Sequence, residues 1–144
     1  MKKSSFIKQL DHPAIETAIA AAEAVTSGEI RVLVLPGPAP EPVGAAQAAF
    51  ARLGMEKTRE RNGVLIFVAP ESQTFAIIGD EGVHQKCGQS FWDEMAAAMT
   101  GAFRRGEFTA GLLAGIERAG KLLGEHFPRQ PDDTDELSNQ VVTE

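Results

Sequence analysis

Hydrophobic positions recur along this chain with two different periods, and the alternation between them outlines its elements. Ile15, Ala18, Ile19, Ala22 and Val25 share one stripe at helical spacing, which predicts a helix over 12–26. Asp11 is placed to cap it, Pro13 is tolerated in its first turn and Gly28 is placed to end it. The apolar run 30–35 reads as a strand, and the Pro/Gly-rich stretch 36–42 as a loop. Ala46, Phe50 and Leu53 mark one face of a helix over 43–53. Strand, helix and the next strand then form a βαβ unit in outline.

That next strand is Val64-Leu65-Ile66-Phe67-Val68-Ala69, whose unbroken apolar character suits a central strand covered on both faces. A turn at 70–73 leads to Thr74-Phe75-Ala76-Ile77-Ile78 after a connection too short for a parallel crossover, so the two strands form an antiparallel hairpin. Gly79-Asp80-Glu81-Gly82 breaks the pattern, and a short irregular or helical piece spans 83–88. Ser90 is placed to cap a helix through Arg105. Phe91, Met95, Ala98 and Ala102 lie on one stripe of it, Trp92, Met99 and Phe103 on the adjoining one. Such a Met and aromatic face is core material before it is an exposed partner groove. Leu112, Ile116, Ala119 and Leu123 predict a last helix over 109–126.

Strand directions decide where the polar residues meet. If the first two strands are parallel, their entrances share one edge of the sheet, and the third strand returns to that edge. Ser27-Gly28-Glu29, Thr58 to Asn62, and Gly79-Asp80-Glu81 then converge although they are distant in sequence. The edge offers carboxylates from Glu29, Asp80 and Glu81, hydroxyls from Ser27 and Thr58, and a fixed positive charge on Arg61. Hard oxygen donors of this kind suit calcium or magnesium. An ion beside a guanidinium also suits a phosphate, the metal acting as Lewis acid and the arginine as a clamp. A purely structural reading stands beside this one: Glu29 pairs with Arg61 across the edge, and Gly79 and Gly82 are turn residues around a capping Asp80.

Charge sharpens the picture in one respect. Of 144 residues, 20 are acidic and 14 basic, a net −6. Residues 128–144 hold Asp132, Asp133, Asp135, Glu136 and Glu144 against Arg129, a net −4, which leaves the body at −2. The division expected is one domain over 1–127 and an acidic tail over 128–144 that stays outside the fold, with Val141 and Val142 as its one apolar pair. The balance disfavours a nucleic-acid binder. Arg52, Lys57, Arg59 and Arg61 are interleaved with Glu56 and Glu60, which makes them an ion-paired turn rather than a basic patch. A single cysteine excludes an intrachain disulfide framework and a multi-cysteine metal cage. Lys8, Gln9, Asp11, His12 and Pro13 interrupt the apolar stretch that an export leader needs, and no apolar run approaches the roughly 20 residues of a membrane span. A cytoplasmic protein is expected.

Thr26-Ser27-Gly28-Glu29-Ile30-Arg31, Thr58 with Arg61-Asn62-Gly63-Val64-Leu65-Ile66, Ile78-Gly79-Asp80 with Gly82 and His84, Phe91-Trp92, and Gly106 with Phe108 occur in an order that resembles the TPM domain. The resemblance runs from about Ile15 to Phe127. It implies a compact, Rossmann-like α/β/α sandwich of three layers around a small mixed sheet, which agrees with the elements above. For function it implies a range, because relatives include a plant thylakoid acid phosphatase, bacterial calcium-binding proteins and an animal receptor accessory protein. Carried onto the matching positions, it implies Glu29, Asp80 and Glu81 as ligands of a divalent cation, with Ser27, Thr58, Arg61 and Asn62 shaping the pocket.

Other chemistry is thinner. His84 and Cys87 are three apart, but no orienting third group is visible and the spacing matches no structural zinc motif. Ser27 lacks a G-x-S-x-G setting, and neither a Walker A loop nor G-x-G-x-x-G occurs. Two readings remain: a calcium-type metal-binding domain with acid phosphomonoesterase activity, and a non-catalytic interaction or accessory module with a protein partner.

Overall fold

A computed structural model of the chain describes residues 10–35, 37–69, 74–129 and 141–143. Helix α1 (His12–Glu23) is followed by strand β1 (Glu29–Val34), helix α2 (Pro42–Arg52), and strands β2 (Gly63–Ala69) and β3 (Thr74–Gly79). Helices α3 (Glu81–Cys87), α4 (Gln89–Arg104) and α5 (Phe108–His126) follow, and a short strand β4 (Val142–Thr143) ends the described chain. The sheet order is β3-β2-β1-β4. β1 and β2 are parallel in the register Glu29↔Gly63 to Val34↔Val68, and β2 and β3 are antiparallel from Val64↔Gly79 to Ala69↔Thr74.

The pleat sends alternate side chains to opposite faces, and the helices cover those faces unequally. Ile30, Val32, Val34, Val64, Ile66 and Val68 pack under α1, α4 and α5, against Ile15, Ile19, Phe91, Met95, Met99, Leu112, Ile116 and Leu123. Leu33, Leu65 and Phe67 face α2, against Ala46, Ala49 and Phe50. Every residue of β2 is buried, as its unbroken apolar run requires. The fold is the small mixed sheet between helices expected from the sequence.

Three boundaries differ from expectation. Helix α1 stops at Glu23 rather than Thr26 because the Thr26 side chain is turned to the chain's far end, where its hydroxyl donates to the Phe127 carbonyl and accepts from the Gly28 N–H. The start of α4 is set by Gly88 and not by Ser90: Gly88, at φ 72°, ends α3 and opens α4 together, a left-handed position that glycine occupies without strain.

The third difference concerns the acidic tail. Residues 130–140 and 144 lie outside the described ones, but Pro128 is bridged to Thr26, and Val142 and Thr143 pair in parallel with Leu33 and Val34. Val141 packs against the core under α1 and α5, and Val142 against the core on the α2 side. The apolar pair that the composition set aside as tail therefore straddles the sheet and closes part of the edge of β1.

Candidate functional site

The entrances of β1 and β2 and the exit of β3 meet at one end of the sheet, and the segment between α2 and β2 folds over that end. Gly63 lets it approach, since a Cβ there would lie 2.9 Å from the Met55 carbonyl oxygen. Thr58 is buried and its hydroxyl accepts from the Asn62 N–H at 3.1 Å, tightening the turn. The Asn62 carbonyl accepts from the Glu29 N–H, and its side-chain amide donates to Ser27 Oγ at 3.1 Å. Ser27 Oγ in turn donates to Glu60 Oε2 at 3.1 Å. The first two predicted segments are thus tied to each other directly.

Arg61 is the centre of the arrangement. Its backbone is left-handed at φ 52°, a conformation that costs a non-glycine residue on the order of 1 kcal/mol or more. Two contacts hold it there. Its carbonyl accepts from the Gly82 N–H at 2.9 Å, and its guanidinium grips Asp80 bidentately, Nε to Oδ2 at 2.7 Å and Nη2 to Oδ1 at 2.9 Å. Glu81 Oε1 lies 3.4 Å from Nη1. The hydrogen bonds to Asp80 hold the Arg61 guanidinium above its already high pKa, with the charges of Asp80, Glu81 and Glu56 adding to the effect against some desolvation.

Asp80 is 6% exposed and has a second duty. Its Oδ1 accepts from the Glu81 N–H at 2.8 Å, capping α3, while its own N–H donates to the Gly63 carbonyl at 2.9 Å. Gly82 allows α3 to seat this closely, because a Cβ there would fall 2.4 Å from the Glu60 carbonyl oxygen and 2.6 Å from that of Arg61.

The structure therefore brings together Ser27, Thr58, Arg61, Asn62, Asp80 and Glu81. Glu29 is buried at the start of β1 and joins them through its backbone. Among the described residues no three His, Cys, Asp or Glu side chains are grouped so as to hold one metal ion, so Glu29, Asp80 and Glu81 are not a ready-made cage. At the position that Asp80 and Glu81 share, the Arg61 guanidinium stands as a positive charge beside their carboxylates. The structural pairing expected for Arg61 was with Glu29; the recorded ion pairs are with Asp80 and Glu81, because β3 delivers Asp80 beside the β2 entrance.

Two residues escaped the sequence reading. Glu60 was assigned to an ion-paired turn and instead bonds Ser27 and Asn62. Glu23 is 1% exposed, and its Oε2 accepts from the Ile30 N–H at 2.8 Å, occupying an outward-facing donor of β1. Its signal was an acid four residues beyond Ile19 and eight beyond Ile15, on the apolar stripe. The weaker His84 and Cys87 pair gains no support as a nucleophile and base: the His84 ring lies against Trp92 at 4.8 Å, and burial, with Glu125 nearby, pushes the Cys87 thiol up in pKa. Among the described residues no helix is long and apolar enough to cross a membrane.

Comparison with known proteins places this geometry. The TPM domain matches residues 2–122. The solved structure of BA42 from the psychrophilic bacterium Bizionia argentinensis is 41% identical, covers 92% of each chain and superposes with a TM-score of 0.87. Two further structures share the fold. The N-terminal domain of cg2496 from Corynebacterium glutamicum is 22% identical over 83% of this chain and 72% of its own, with a TM-score of 0.60. An N-terminal domain from P. gingivalis is 20% identical over 82% and 78%, also at 0.60. None of the curated protein sequences compared matches this chain. With most of its length matched by the domain and a near-complete superposition on a 41% identical structure, the chain belongs to the TPM domain family.

Proposed function

We propose that this chain is a divalent-cation-binding domain of calcium type, with the sheet edge around Asp80 as its site. The observation that carries the reading is the guanidinium of Arg61 held between Asp80 and Glu81 at 2.7 to 3.4 Å. Two carboxylates on one cation position are oxygen donors of the kind a hard ion takes, with carbonyls and water left to complete its shell. Asp80 and Glu81 would hold the ion, and Arg61 must leave Asp80 for it to enter. Calcium suits the place better than magnesium, because it accepts irregular oxygen shells while magnesium demands a near-ideal octahedron. Bound there, the ion would supply Lewis-acid chemistry toward a phosphate monoester. In that acid phosphatase reading Arg61, freed from Asp80, clamps the phosphate, and Ser27 and Asn62 order the rim.

Calcium titration followed by thermal unfolding tests this, because an ion that binds only the folded chain raises its stability by about 2.7 kcal/mol at a hundredfold excess over Kd. The parent is expected to gain stability and Asp80→Asn to gain none. No shift with calcium, magnesium or manganese would overturn the reading. Hydrolysis of an aryl phosphate that is equal in parent and Asp80→Asn would remove the phosphatase component.

The accessory-module reading is favoured by a different feature of the same residues. Both Asp80 oxygens serve internal partners, as do Ser27 Oγ and the Asn62 amide, which makes the cluster a clamp of the fold. If Asp80→Asn lowers stability equally with and without calcium, this second reading stands.

A further inference from the structure

The edge of β1 is divided between two occupants. In its first half the Ile30 N–H is taken by the Glu23 carboxylate at 2.8 Å, which blocks strand addition there. In its second half Leu33 and Val34 pair with Val142 and Thr143. Among the described residues that pairing spans two positions, and it is selective: Val141 meets the core on one face of the sheet and Val142 the core on the other, and the Val141 N–H donates to Glu16 Oε2 at 3.2 Å. Backbone pairing with alternate side chains read on opposite faces is how an extended segment is recognised at a sheet edge.

The chain leading to β4 is longer than its path requires. Pro128 is bridged to Thr26, just before β1, and Val142 pairs with Leu33 near the far end of β1. That distance is about 20 Å at 3.3 Å per residue, which about seven residues cover. Fourteen peptide steps separate Pro128 from Val142. Surplus length and a two-residue contact together allow the segment to reach the same edge on another molecule.

We propose that the second half of the β1 edge is a strand-docking site for residues 141–143 of a second copy of this chain, with the chain's own segment as the resident competitor. The occupant is a second copy because the alternating Val141 and Val142 side chains are the sequence that this edge is seen to fit.

Deletion of residues 130–139 tests it. Four peptide steps then remain between Pro128 and Val142, at most about 14 Å, so the segment no longer reaches its own edge. Light scattering should give a dimer for the deletion variant, and a monomer when Val142→Asp is added, each checked for folding by circular dichroism. A folded deletion variant that stays monomeric at millimolar concentration overturns the proposal, as does a dimer that survives Val142→Asp. Should the deletion not fold, the full chain decides. Unlabelled Cys87→Ser, Glu144→Cys chain carrying a nitroxide is mixed with ¹⁵N-labelled parent, and broadening of the Leu33 and Val34 amides is expected. Intact signals at millimolar concentration overturn the proposal equally.

Discussion

The sheet face under α1, α4 and α5 and the Asp80 carboxylate at the sheet end are both withdrawn from water, but different forces hold them. Ile66 and Ile116 are fully buried among apolar side chains, and their contribution is non-directional and roughly proportional to area. Asp80 is nearly as buried, and what it contributes depends on hydrogen-bond geometry: the Arg61 fork and the Glu81 amide donate to its carboxylate, and its own N–H donates to the Gly63 carbonyl. The first region tolerates a change of shape at a cost in stability, whereas the second loses its organisation when one partner is misplaced. Stability and the candidate function therefore sit at separate places in one small domain, and substitutions should separate them.

The largest effect belongs to the apolar face. Ile116→Ala removes a fully buried side chain and should cost about 2–5 kcal/mol in urea unfolding. Calcium response, measured as the shift in melting temperature, should survive in whatever fraction is folded. A lost response with retained stability would break the separation.

Gly82→Ala acts at the boundary. Its Cβ would press on the Glu60 and Arg61 carbonyl oxygens at 2.4 and 2.6 Å, backbone atoms that cannot swing aside. A loss of about 1–3 kcal/mol is expected, the range for overpacking, together with loss of the calcium response because α3 no longer seats Asp80 against Arg61. Asp80→Ala should cost about 0.5–2 kcal/mol, as for a lost helix cap, with Asp80→Asn nearer the low end because an amide oxygen still caps α3. Equal losses for the two variants would show that the charge, and not the cap, is what the site needs.

The fold was legible because its signals are periodic. Ile15, Ile19 and Ala22, the unbroken 64–69 run and the short hairpin connection each name one element, and strand direction alone then carries Ser27, Asn62 and Asp80 to one end. What escaped depends on contacts between residues far apart. Nothing local marks Arg61 for a left-handed backbone; it is held there by Gly82 and Asp80, about twenty residues later. The Thr26 hydroxyl shortens α1 through Phe127, more than a hundred residues away. Val142–Thr143 pass for tail because two residues carry no period, and their place on β1 exists only once the sheet is built.

Cys87 offers the smallest test, at the margin of the apolar region. Burial raises its thiol pKa, and Glu125 adds to the rise while Lys86 opposes it. The native state thus holds the thiol proton more tightly than the unfolded chain does. By linkage the resulting stabilisation is fully present below the ordinary thiol pKa, about 8.5, and is lost as pH rises through the higher native value. Two readouts follow from this sign. Alkylation by iodoacetamide near pH 8 should be slower than for a free cysteine, since the thiolate is the nucleophile. Parent stability should also fall more steeply than that of Cys87→Ser above about pH 8.5, and parallel slopes would mean that Cys87 is as solvated as the polar end of the sheet.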